Sequence, residues 1–212
     1  MFGQIKKVLI LAPHPDDAEF GLGGTIAKLI ADGKELHIAV MSTCEKSTPD
    51  GFHKGVIIEE MFKSCQFLGI KPEHIHTFDF EVRDFPALRQ DILETFVQLR
   101  LELKPDLVFV PSSSDIHQDH MTVHQEGMRA FKHTCLLGYE MPWNNFGFTS
   151  FVFVKLTQLH LDKKMAALNL YESQKQRSYN NINFVTSLAQ LRGGQIQQKF
   201  AESFELIRFF DF

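Results

Sequence analysis

The chain has 212 residues, 44% of them hydrophobic and 23% charged, with a formal net charge of −4. That composition excludes a disordered or low-complexity protein, and the slight acidic excess, interspersed along the chain, excludes the basic field that wraps nucleic acid. No apolar run is long enough to span a bilayer, and the first one, in "MFGQIKKVLILAP", is too short for a secretory signal, so a cytoplasmic protein is expected.

From the start of the chain, strand-like and helix-like patterns alternate. "KKVLILAP" predicts a buried strand and "FGLGGTIAKLIADGK" a helix that stops at Gly33. "ELHIAVMST" predicts the second strand, and "GVIIEEMFKSCQFLGI" a helix ending at Gly69. "HIHTFDF" is the third strand, followed by a helix from about Pro86 to Leu103. "PDLVFVPSS" is the fourth, followed by the helix "MTVHQEGMRAFKH". Beyond residue 135 the alternation loosens into a strand in "FTSFVFVKL", helices in "LDKKMAALNLYESQ" and "FVTSLAQLRG", and a last strand in "SFELIRFF". This order predicts an α/β fold, Rossmann-like, with a mostly parallel sheet and helices on both faces. With no linker, repeat or biased tract, residues 1–212 are expected to form a single domain.

Cys44, Cys65 and Cys135 are far apart and odd in number, which suggests neither a disulfide framework nor a thiolate zinc site. Phenylalanine is overused, with 21 residues against one tryptophan. Phe204, Phe209, Phe210 and Phe212 crowd the C-terminal end, which is expected to pack or to bury itself in a homo-oligomer contact.

Two polar clusters interrupt the apolar pattern. His14, Asp16 and Asp17 of "LAPHPDDAEFGLGGT" follow the first strand, and Asp115, His117, Asp119 and His120 of "DIHQDH" follow the fourth. In a parallel sheet both loops open at the same edge, so side chains about a hundred residues apart in sequence can converge. Imidazoles and carboxylates without thiolates suit zinc or another borderline divalent ion, and three protein ligands leave a position open for water. A phosphate loop is disfavoured because the acidic pair would repel the ligand, and Gly23-Gly24 read instead as a close contact between the first helix and the sheet.

The motifs "APHPDDAEFGLGGT" and "HQDH" resemble those of the PIG-L/LmbE-like family of zinc-dependent N-acetylglucosamine de-N-acetylases. Weaker echoes occur at Glu60, in "YEMPW", in "LDKKMAALNLYESQ" and in "FAESFE". The resemblance implies an LmbE-like deacetylase, an enzyme that removes acetyl from a small-molecule N-acetyl sugar conjugate. By position it places the metal on His14, Asp17 and His120, the general base on Asp16 and a second active-site histidine on His117, with Zn2+ as cofactor or Fe2+ in vivo. Chemically, Asp17 would hold the ion while Asp16 faces the attacking water; His117, as an imidazolium, would serve the oxyanion or the leaving amine, and Asp119 would fix its tautomer. The family's arginine before the position of Glu60 is missing from "GVIIE". Arg83 and Asp79 in "FDFEVRDF" are the candidates for substrate contacts, against a surface role for each.

The other histidines read as bland. His37 alternates with apolar neighbours in a strand, and His53, His74, His76, His133 and His160 fall outside both clusters. His124, one helical turn past His120, is open between a supporting and a solvent role. Two further functions stay open at this point. A metal-dependent phosphoesterase would use two ions about 4 Å apart and therefore more ligands. A non-catalytic sugar-binding protein would be expected to lack Asp16 or a ligand, and none is lacking.

Overall fold

The computed structural model describes residues 3–177 and 181–211. Its elements in chain order are β1 (Lys7–Ala12), α1 (Asp17–Ala31), β2 (Glu35–Val40), α2 (Val56–Leu68), β3 (Ile75–Thr77), α3 (Arg89–Leu103), β4 (Leu107–Pro111), α4 (Gln118–Ala130), β5 (Cys135–Tyr139), β6 (Val152–Leu156), α5 (Gln158–Leu168), α6 (Ile182–Gln195) and β7 (Phe200–Arg208). One sheet carries all seven strands in the order β3-β2-β1-β4-β5-β7-β6. β3, β2, β1, β4 and β5 pair in parallel, and β7 runs antiparallel to both of its neighbours.

The apolar runs make this a buried sheet with two covered faces. Along β1, Val8, Ile10 and Ala12 enter a core shared with α1, α2 and α5, while Leu9 and Leu11 enter a second core with Ile92, Phe96 and Val123 of α3 and α4. Period-two alternation of side chains sends neighbours to opposite faces, and helices on both faces leave no reason for a polar residue between them. The chain order reverses at β1, which lies between β2 and β4. The loops after β1 and β4 therefore diverge around a crevice at the carboxyl ends of the strands.

Several expectations are corrected here. The strand expected over "HIHTFDF" is regular only for Ile75–Thr77, although Phe78 and Phe80 still donate to the carbonyls of Val40 and Met41 at 2.9 and 3.0 Å. The helix expected from Pro86 begins at Arg89, because residues 84–88 close tight turns. The helix expected from Met121 begins at Gln118 and so includes Asp119 and His120. β5, a five-residue strand with every residue buried, was not anticipated. Cys44, Cys65 and Cys135 are buried and free.

At the C-terminal end Phe204 is fully buried in β7 and Phe210 packs on the core, leaving Phe209 43% exposed; Phe212 lies outside the described residues. More apolar surface is offered by Phe146 and Phe151, which are 91% and 72% exposed.

Helix α1 is broken. Leu22 sits at φ −150°, ψ 24°, so the segment after it has its own N-terminus and the segment before it its own C-terminus, each with unsatisfied backbone groups. A buried ion pair from distant elements satisfies both. Glu202 of β7 accepts from Gly24 N at 3.0 Å and Thr25 N at 2.6 Å, while Lys164 of α5 donates to Phe20 O at 2.6 Å and to Glu202 at 2.7 Å. Carboxylate at an N-terminus and ammonium at a C-terminus also match the helix dipoles. Gly24 permits the approach: a Cβ there would stand 2.5 Å from Leu156 Cδ1.

Removing one member should strand the other as an uncompensated buried charge. Glu202→Leu or Lys164→Met is expected to cost about 3–5 kcal/mol, and Lys164→Met/Glu202→Leu less than the sum of the two singles. Urea unfolding of the four proteins measures this, and additive losses would show that the pair does not act as a unit.

Candidate functional site

The two polar clusters meet at the crevice. His14, Asp16 and Asp17 occupy the junction of β1 and α1, and Asp115, His117, Asp119 and His120 the junction of β4 and α4. They line or underlie a cavity of about 520 Å³, whose wall also includes Lys46, Arg83, Trp143 and Arg177.

At its floor, three atoms form a near-equilateral triangle. His14 Nδ1 lies 3.1 Å from Asp17 Oδ2, His120 Nε2 lies 3.2 Å from the same oxygen, and the two nitrogens are 3.2 Å apart. Three tetrahedral ligands at about 2.0–2.1 Å from a common centre are separated by about 3.3 Å, so the triangle has the size such a centre requires.

The outer nitrogens explain why the inner ones face the centre. His14 Nε2 is 3.0 Å from Asp119 Oδ2, and His120 Nδ1 is 2.7 Å from Asp115 Oδ2. Each carboxylate takes the N–H of its imidazole and leaves the lone pair inside. Two imidazole lone pairs and a carboxylate oxygen approach this closely only with positive charge among them, a proton or a cation. Accordingly, burial opposes charge on His120 but Asp17 and Asp115 overcome it and raise it to about 10. His14 is likewise raised against its burial by Asp17 and Asp119, and Asp17 is lowered, against its burial, by the two histidines. The set fits a divalent ion, with His14, Asp17 and His120 as the residues able to hold it.

Asp16, at the N-cap of α1, makes no capping hydrogen bond and lines the cavity. Burial and the neighbouring Asp17 push its carboxyl up to about 6. Its backbone is held from below, where the Tyr171 hydroxyl donates to Pro15 O at 2.6 Å and lies 2.8 Å from Glu19.

The expected pairing of Asp119 with the His117 ring is corrected. His117 is the N-cap of α4, and its Nδ1 accepts the N–H of Asp119 at 3.2 Å, which turns the ring away from that residue's carboxylate. The carboxylate instead reaches His14 and the backbone N of Arg83, at 3.0 and 2.7 Å. In this arrangement Nδ1 acts as an acceptor, which leaves Nε2 as the donor, and burial, then His120 and His14, lower the pKa of His117. A nitrogen of His117 also falls within 4.8 Å of those of His14 and His120, but Asp17 closes the tighter set.

Arg83 has φ 74°, an uncommon value for a non-glycine residue, with its backbone fixed by Asp119 and by the Gln118 side chain. Its guanidinium donates to Ser47 at 3.2 Å on the cavity wall. Asp79 is exposed and is absent from that wall. His124 is buried and bonds Pro111 O at 2.8 Å, a supporting role at the end of β4. Glu60 is also structural: it accepts from Ser173 N at 3.1 Å and Ser173 Oγ at 2.5 Å, tying α2 to the turn that brings Gln174 and Arg177 to the cavity.

Sequence reasoning missed Asp115 as the partner of His120, and missed Trp143 and Arg177. Asp115 stood inside a recognised cluster and Trp143 in the echo "YEMPW", whereas Arg177 carries no local signal.

A family profile described as PIG-L, GlcNAc-PI de-N-acetylase, matches residues 9–131. A diacetylchitobiose deacetylase of Thermococcus kodakarensis is 35% identical over 127 residues, covering 56% of this chain but only 46% of the relative, so the chain aligns to about half of that protein. The deacetylase YaiS of Escherichia coli K12 is 29% identical over 176 residues, 79% of this chain and 91% of the relative. Among solved structures, the N,N'-diacetylchitobiose deacetylase of Pyrococcus horikoshii superposes with a TM-score of 0.81 at 24% identity, over 97% of this chain and 85% of that one, which shows the shared fold.

Proposed function

The chain belongs to the GlcNAc-PI de-N-acetylase (PIG-L) family, and from that premise we propose that it is a metal-dependent hydrolase removing the acetyl group from an N-acetylated amino sugar conjugate. The observation that carries this reading is the triangle of His14 Nδ1, Asp17 Oδ2 and His120 Nε2 with Asp16 beside it at the bottom of the cavity. Zn2+ suits this nitrogen and oxygen set, and Fe2+ is the alternative for imidazole and carboxylate.

When bound, such an ion supplies Lewis acidity, polarising an amide carbonyl and acidifying water. The residues do the rest. Asp16 takes the proton of the water that attacks the acetyl carbon, and returns it to the sugar nitrogen as the carbon–nitrogen bond breaks, giving acetate and a free amine. His117 donates its Nε2–H to the oxyanion; a neutral donor is suited to this because it binds the developing charge without having to give up a proton. Asp119 and Asp115 hold His14 and His120 in the tautomers that aim lone pairs inward. Trp143 offers an apolar wall to a sugar face, and Arg83 a donor to the conjugate.

The test is amine release from a panel of N-acetylated sugar conjugates, with and without chelator. Release from at least one conjugate, abolished by chelator and restored by zinc, supports the reading; a chelator-insensitive rate would refute it. Arg83→Ala should raise KM about tenfold with kcat within twofold, the pattern of lost uniform binding. Equal losses in kcat and kcat/KM would instead place Arg83 in the transition state.

A cytoplasmic setting suits three buried free thiols. Among the described residues no helix is long and apolar enough to cross a membrane. Residues 1–212 are taken as a single domain, and the exposed Phe146 and Phe151 as the better basis for a homo-oligomer than the C-terminal phenylalanines.

A further inference from the structure

A second set of metal-ligating side chains meets at the other end of the sheet. The catalytic loops follow the carboxyl ends of β1 and β4, whereas Glu35 and His37 lie at the beginning of β2, His76 lies in its parallel neighbour β3, and His74 immediately precedes β3. His37 is 5% exposed, with both ring nitrogens engaged: Nε2 lies 2.9 Å from Glu35 Oε1 and Nδ1 lies 3.1 Å from His76 Nε2. Its ring stacks on that of His74 with centroids 4.1 Å apart. One ligand atom each from Glu35, His37 and His74 lie within 4.8 Å of one another.

From this geometry we propose that Glu35, His37 and His74 form a second metal site, separate from the catalytic triangle, that takes a borderline divalent ion of the zinc type. Imidazole and carboxylate donors suit that class of ion. When His37 Nε2 turns to an ion, its proton moves to Nδ1 and is donated to His76 Nε2, which makes His76 the group that orients the ligand.

Two adjustments are required. The ammonium of Lys7, 2.9 Å from Glu35 Oε1, gives up that contact, and both side chains are partly exposed and free to swing. A common centre with bonds of about 2.0–2.1 Å needs the donor atoms about 3.3 Å apart, so the His74 ring must close in. It sits in the one-turn segment Pro72–His74 at the surface, where a ring rotation displaces no core. The facing charges are those of Glu35 and, toward His76, Glu102 of α3. An ion here would clamp the three-residue edge strand β3 to β2 and stabilise the folded chain by mass action.

This inference does not depend on the deacetylase reading. The experiment is equilibrium dialysis against Zn2+ with elemental analysis, comparing His120→Ala with His120→Ala/His74→Ala, so that the catalytic triangle is disabled in both. Loss of one zinc equivalent per chain on adding His74→Ala, together with loss of the zinc-induced rise in Tm, supports the site. No loss of zinc on adding His74→Ala would overturn it. Glu35→Gln in the same background is a second variant, at an exposed position, expected to show the same loss. His74→Ala alone should leave any deacetylase rate unchanged.

Discussion

Asp16→Asn is expected to keep its metal and to lose about a hundredfold to ten-thousandfold in kcat, the usual effect of removing a general base. Asp16 touches neither of the nitrogens of the triangle and makes no cap hydrogen bond, so the nearly isosteric amide disturbs none of the donors. An amide cannot accept the water's proton. The wild-type rate should fall on acidification as Asp16 becomes protonated, and the residual rate of Asp16→Asn should lack that acid limb. Metal analysis beside the pH profile checks both parts. If the variant lost its ion, Asp16 would be a ligand and not the base.

The second large effect is expected from the triangle itself. His14→Ala, Asp17→Ala and His120→Ala should each lose the catalytic ion and reduce deacetylation to background. His117→Ala should keep the ion while kcat falls, which separates the Asp17-containing set from the looser group of His14, His117 and His120. Asp115→Asn and Asp119→Asn leave all three donors in place but remove the carboxylates that orient His120 and His14. Losses of about 10–100-fold in metal affinity or activity are typical for such partners. Elemental analysis and competition with a chelator of known affinity read these out, and unchanged affinity in both asparagine variants would leave the carboxylates no orienting role.

The site was legible because its residues are adjacent in sequence within two loops, and because parallel strands bring such loops to one edge. His14, Asp16, Asp17, His117 and His120 all follow from that reasoning. What each carboxylate touches did not follow. Asp119 is two residues from His117, yet it bonds His14 across 105 positions, because the N-cap geometry of His117 turns its ring onto a backbone N–H instead. β5 escaped notice for a related reason: "CLLGY" is buried on both faces, so it shows no alternation and is too short to stand out against a helix end. His37, His74 and His76 looked unrelated until the register of β2 and β3 set them side by side. Periodicity reports which face a residue occupies, but not what stands opposite it.

The broken α1 bears on how this protein could be cut or recombined. A fragment stopping after α4 would retain every donor of the triangle and the base, and by its motifs would look complete. It would have lost the ammonium and carboxylate that close the gap in α1, the phenol beneath Pro15, and the strand that covers the edge of β4. Grafting the first loop into another scaffold, or exchanging C-terminal thirds between relatives, therefore has to carry Lys164, Tyr171 and Glu202 along as a set, since the loop's shape is imposed from some 150 residues downstream.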